Sequence, residues 1–135
     1  MRNVVVLLVC LFITGCFDTK AKGRAESAVA EFHQRLDAGD FTGIYAAAHA
    51  ELKAATTESD FVALLAAVHK KLGLVRGSSL AGWRVNTVSG HSFVQLSYKT
   101  TFAEGDGVES FNYRVDGGNP ALLGYNINSN TLILK

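Results

Sequence analysis

The apolar residues of this chain change their spacing once, near Gly77, and that change restricts the fold more than anything else in the sequence. Before it they recur every three or four positions, the period of a helix face. After it they alternate, the period of a strand with one face buried. Ala25, Ala28, Val29, Phe32 and Leu36 predict a helix over residues 24 to 38, stopped at Gly39. Asp40 then caps a second helix, from Phe41 to about Ala54, with Phe41, Ile44, Tyr45, Ala48 and Leu52 on its apolar face. Thr57 caps a third, with Asp60 three residues later in the manner of a capping box. Its stripe is Phe61, Leu64, Leu65, Val68 and Leu72. Lys70 and Lys71 suit the dipole of its last turn, and Gly73 ends it.

Beyond Gly77, Trp83, Val85 and Thr87 alternate with Arg84, Asn86 and Val88 up to a hairpin turn at Ser89-Gly90-His91. Residues 92 to 103 place Val94, Leu96, Tyr98, Thr100 and Phe102 on one face. A turn at Glu104 to Gly107 follows, then Phe111, Tyr113 and Val115 within residues 108 to 116. Gly117-Gly118-Asn119-Pro120 makes a third turn, and Leu123, Tyr125 and Ile127 the inward face of a fourth strand. Residues 131 to 135 are left to extend or cover an edge. Turns this tight make sequence neighbours into antiparallel sheet neighbours. The expected fold class is therefore α+β: three N-terminal helices packed on the apolar face of a curved four-stranded antiparallel sheet, enclosing a cone-shaped space.

That order resembles the nuclear transport factor two-like superfamily, also described as cystatin-like. Leu36-Asp37-Ala38-Gly39-Asp40-Phe41 ahead of Tyr45-Ala46-Ala47-Ala48 looks like an uncharacterised family of bacterial lipoproteins within it. So do Phe61 to Leu72-Gly73 and the closing Leu122-Leu123-Gly124-Tyr125-Asn126-Ile127-Asn128-Ser129. The resemblance covers residues 24 to 134. It implies a fold and a place in the cell, and it carries over no catalytic residue.

The start of the chain has a logic of its own. Arg2 is followed by an uncharged apolar run, Val4 to Phe12, and then by Ile13-Thr14-Gly15-Cys16. A positive start, a short apolar core and small residues at the cut describe a secretory signal peptide. The run is shorter than the ~20 apolar residues of a transmembrane helix. Ile13-Thr14-Gly15-Cys16 resembles the lipobox of bacterial lipoproteins, which implies cleavage between Gly15 and Cys16 and lipid, palmitate included, on Cys16. The expected organisation is a leader at 1–15, a lipidated cysteine and polar tether at 16–24, and one α+β domain at 25–135. Cys10 leaves with the leader, so residues 17 to 135 contain no cysteine. That suits an oxidising compartment, where a leftover thiol is a liability. The expected location is the cell envelope, anchored on the periplasmic side. Phe17 after the cysteine, with Asp18 one later, favours the outer membrane over the inner.

Charge narrows the partners. Without Arg2 the 13 basic residues become 12, matching 12 acidic ones. No basic face is implied, which argues against nucleic acid. The partners left are the membrane through the lipid, a small apolar ligand or protein, and a second copy in a homodimer.

No residue announces a reaction. His33 follows the core position Phe32 and is expected to face partly outward, within reach of Asp37. His49, His69 and His91 also read as solvated. None has the spacing of a metal site, and no cofactor is implied. Asp37, Asp40, Asp60, Glu104 and Asp106 stand at caps and turns. No inward strand position is expected to carry a carboxylate, which counts against an isomerase- or dehydratase-like mechanism. Trp83, Tyr98, Tyr113 and Tyr125 fall on the inward strand face and are the candidates to line a pocket, with plain core packing as the competing reading. The favoured class is a non-catalytic binding or interaction module. The alternatives are a small cone-pocket enzyme and a self-associating structural envelope protein.

Overall fold

A computed structural model describes residues 14–134, with side chains from Thr19 onward. The leader up to residue 13 lies outside the described residues, and so do the side chains at the expected cleavage and lipidation site around Cys16. The elements in order are α1 (Thr14–Asp37), α2 (Phe41–Ala47), α3 (Ala50–Ala55), α4 (Glu58–Leu72), β1 (Val75–Val88), β2 (His91–Phe102), β3 (Gly105–Val115), β4 (Ala121–Asn128) and α5 (Asn130–Leu134). The α+β class stands. The helix count does not: among the described residues four helices precede the sheet and a fifth follows it.

The extra helix comes from a break in the expected second one. Ala48 and His49 adopt extended backbone, and the His49 ring accepts a hydrogen bond from the Glu51 N–H at 3.1 Å, capping α3. The His49 N–H donates to the Leu122 carbonyl at 2.9 Å, which ties the break to β4. His49, still partly exposed, is thus also a capping residue. α1 also starts earlier than residue 24. Its buried stripe continues back through Ala21, a small residue whose weak hydrophobicity hides one more turn of the face. α4 follows expectation at both ends: Thr57 Oγ1 accepts from the Asp60 N–H at 3.2 Å, and Gly73 closes the helix at φ 77°. Leu64, expected in its stripe, is instead exposed.

The sheet is an antiparallel meander in the order β1-β2-β3-β4. Ser89 and Gly90, at φ 51° and 79°, make the two-residue β1–β2 turn, with both residues left-handed as a type I′ turn requires. In β4 a register shift pairs Asn112 with Gly124 but Tyr113 with Leu122. The bulge changes the alternation, so Leu122, not Leu123, joins the buried set beside Tyr125 and Ile127.

The core lies between the sheet and helices α1, α2 and α4. Phe111 is fully buried at its centre. Phe32 meets it edge-on at 5.1 Å between ring centroids, and Tyr125 and Tyr98 lie at 5.2 and 6.0 Å. Such aromatic pairs contribute about 0.5–1.5 kcal/mol each beyond the area they bury.

Candidate functional site

The alternation of β3 brings a carboxylate inward. Phe111, Tyr113 and Val115 are buried, and two residues before Phe111 the same face presents Glu109, at 0% exposure. The expectation that no inward strand position carries a carboxylate is therefore wrong. A carboxylate buried alone would be several kcal/mol unfavourable. Glu109 is not alone. Its Oε1 lies 2.7 Å from His33 Nε2 and accepts from the Thr100 hydroxyl at 2.5 Å. Its Oε2 accepts from the Tyr125 hydroxyl at 2.6 Å. Three elements besides β3 supply these partners: α1, β2 and β4.

His33 corrects the second expectation. It does not face outward toward Asp37. It is buried against Glu109, while Asp37 accepts from the Val75 N–H at 3.0 Å. α1 lies across β1, β2 and β3, so its buried face is wide enough to hold both Phe32 and the next residue along. One proton occupies the His33–Glu109 contact, whichever partner holds it. Tyr125 keeps its own proton well above the usual phenol range. Burial is the main cause, followed by the Glu109 charge and the hydrogen bond to it. The same holds for Tyr113, through burial and then the nearby Tyr98 and Glu109.

The remaining histidines part company. His91 stands at the start of β2, with Nδ1 at 3.0 Å from Asp116 and at 2.8 Å from Arg114 Nη2. His69 packs edge-on against Phe41, and its buried Nδ1 has no hydrogen-bond partner among the described residues. Among the described residues no cluster of three or more His, Cys, Asp or Glu is placed to hold a metal.

The four aromatic residues expected to line a pocket do not surround one space. Tyr125 belongs to the Glu109 cluster, and Tyr98 packs beside Phe111. Trp83 shares the inward face but sits on the edge strand, 52% exposed, with Lys22 Nζ 5.4 Å from its ring. Tyr113 borders a cavity. This slot of about 70 Å³ opens between α1, α2 and β4, floored by Phe32, Ile44 and Leu122 and flanked by Ala28, Ala47, Glu31, Arg35 and Pro120. It continues into a wider polar hollow along Arg24, Ser27 and the β3–β4 loop.

A family model matches residues 28–125, from the middle of α1 to β4. The chain belongs to the DUF4019 family. That family is described as a protein of unknown function, so membership supplies no chemistry. The DUF4019 match contains His33, Thr100, Glu109 and Tyr125, and it begins after Cys16. No curated protein matches the chain. Among the described residues, no helix of this DUF4019 member is long and apolar enough to cross a membrane.

Proposed function

We propose that this chain is a lipid-anchored envelope protein whose domain is a non-catalytic interaction module. The leader is removed before Cys16, the cysteine carries the lipid, and residues 17–20, rather than the whole expected tether of 16–24, connect it to a domain of the nuclear transport factor two-like kind on the periplasmic side of the membrane, the outer one by preference, because Ala21 is already buried in α1. Ile13-Thr14-Gly15-Cys16 and the lack of cysteine in residues 17 to 135 support the anchor. One observation carries the non-catalytic reading. The acid–base pair of the core is closed: Glu109 is fully buried, and both its oxygens are taken by neighbours. A general base must come within hydrogen-bond reach of the proton that it abstracts. The open slot lies elsewhere, between α1, α2 and β4.

The test is palmitate labelling and membrane fractionation of the wild type and Cys16→Ser. The wild type should be labelled and sediment with membranes, and Cys16→Ser should be an unlabelled, longer precursor. Equal labelling of the two would refute the anchor.

A second reading, a small cone-pocket enzyme, is favoured by the same His33–Glu109 pair, since an imidazole beside a carboxylate is the equipment of acid–base catalysis. It requires the cluster to open to a substrate. Solvent exchange of its protons separates the two readings.

A further inference from the structure

We propose that the slot between α1, α2 and β4 receives one aliphatic side chain of an extended peptide from a protein partner, with an acidic residue of that peptide held at Arg24. The inference rests on the interaction-module reading and gives that module its surface and its ligand.

Size decides the anchor. The slot measures about 70 Å³, under half of the ~150 Å³ cavity that admits a benzene ring. It suits a valine or leucine side chain better than an aromatic ring. Its floor is apolar, Phe32, Ile44 and Leu122, and the small side chains of Ala28 and Ala47 leave its mouth open.

Tyr113 offers a polar group there. It is 3% exposed, yet its hydroxyl makes no hydrogen bond within the described residues, while the hydroxyls of Thr100 and Tyr125 both do. The Tyr113 oxygen is not among the sealed, unpartnered atoms of the described residues, so it reaches the open space of the slot. Burial also keeps this phenol protonated, so it stands as a donor suited to a peptide carbonyl.

Shape and charge give the rest. The slot runs on into the hollow beside Gly117, Gly118 and Asn119, which suits a chain lying along the β3–β4 loop rather than a compact ligand. Arg35 is already committed to Glu31 at 2.9 Å and to the Gly43 carbonyl at 2.8 Å. Arg24 is exposed and, among the described residues, makes one long contact, 3.3 Å, to the Gly118 carbonyl. The charge left available on the rim is positive, so the residue beside the anchor is acidic.

The test uses the full chain in detergent micelles, with methyl NMR signals of Ala28, Ala47, Ile44 and Leu122 as reporters. The probes are acetyl-Asp-Leu-amide, acetyl-Lys-Leu-amide and decanoate. Acetyl-Asp-Leu-amide should shift these methyls saturably and bind about fivefold tighter than the lysine peptide, the effect of one exposed ion pair of ~1 kcal/mol. Arg24→Glu, a surface change, should reverse that order, and Ala28→Trp should remove the response. The inference is overturned if the methyls do not move, if both peptides bind alike, if Arg24→Glu leaves the order unchanged, or if decanoate alone fills the slot. Such a result with normal lipid on Cys16 ends this inference and leaves the anchored-module reading in place.

Discussion

His33 Nε2 lies 2.7 Å from Glu109 Oε1, and this contact joins α1 to β3 through the core. Glu109 is fully buried and His33 keeps only 9% of its side chain exposed, so water cannot replace a lost partner cheaply. His33→Ala should therefore destabilise the domain by about 3–5 kcal/mol, the usual result of leaving a buried charge without its partner. Thr100→Val, which removes one neutral donor and keeps the shape, should cost about 1–3 kcal/mol. Denaturant unfolding measures both. Values near zero would mean that Glu109 is hydrated in solution.

The tyrosines set an alkaline limit. Burial, then neighbouring negative charge and phenols, raise Tyr113 and Tyr125 far above the ordinary phenol value. Burial, then the charge of Glu26, raises Tyr98. The folded chain thus holds protons that the unfolded chain releases near pH ~10. Their contribution to stability is complete below that pH and falls as pH rises through it. Phenolate absorbance of these three should appear in one cooperative step, together with loss of the far-UV signal. A smooth titration that precedes unfolding would contradict their burial.

Phe61 anchors α4. It is buried and packs against Tyr45 at 5.8 Å between ring centroids. Phe61→Ala should cost about 3–5 kcal/mol. Leu64→Ala, at an exposed position of the same helix, should change stability by less than about 0.5 kcal/mol. Equal losses at the two positions would mean that the face of α4 is rotated.

Ser89 occupies left-handed backbone in the β1–β2 turn, at φ 51°. Residues other than glycine are strained there, and asparagine tolerates it best. Ser89→Asn should raise stability by on the order of 0.5 kcal/mol. A lower melting temperature would argue against the type I′ turn.

Much of this fold is legible in the sequence because its signals are local. The α4 cap at Thr57, the Ser89-Gly90 turn and the alternation of β2 each depend on residues a few positions apart. The break between α2 and α3 was not legible, because it depends on a bond from His49 to Leu122, 73 positions away. The inward bulge at Leu122 likewise follows from pairing with β3. Glu109 was legible in part. Counting back by twos from Val115 through Tyr113 and Phe111 reaches it, but a carboxylate reads as the end of an apolar alternation rather than its continuation. Its partners show why the strand tolerates it: His33, Thr100 and Tyr125 come from three other elements, and no local pattern names them together.

We propose that the ionisable heart of the domain is a sealed clamp and that function belongs to the surface and the anchor. Proton NMR on the ¹⁵N-labelled chain tests it most directly. A sealed clamp gives resolved resonances for the proton between His33 and Glu109 and for the Tyr125 hydroxyl, exchanging with water as slowly as the amides of β3. Exchange too fast to observe, with the β3 amides still protected, would show that solvent reaches Glu109 and would return the cluster to the status of an acid–base site.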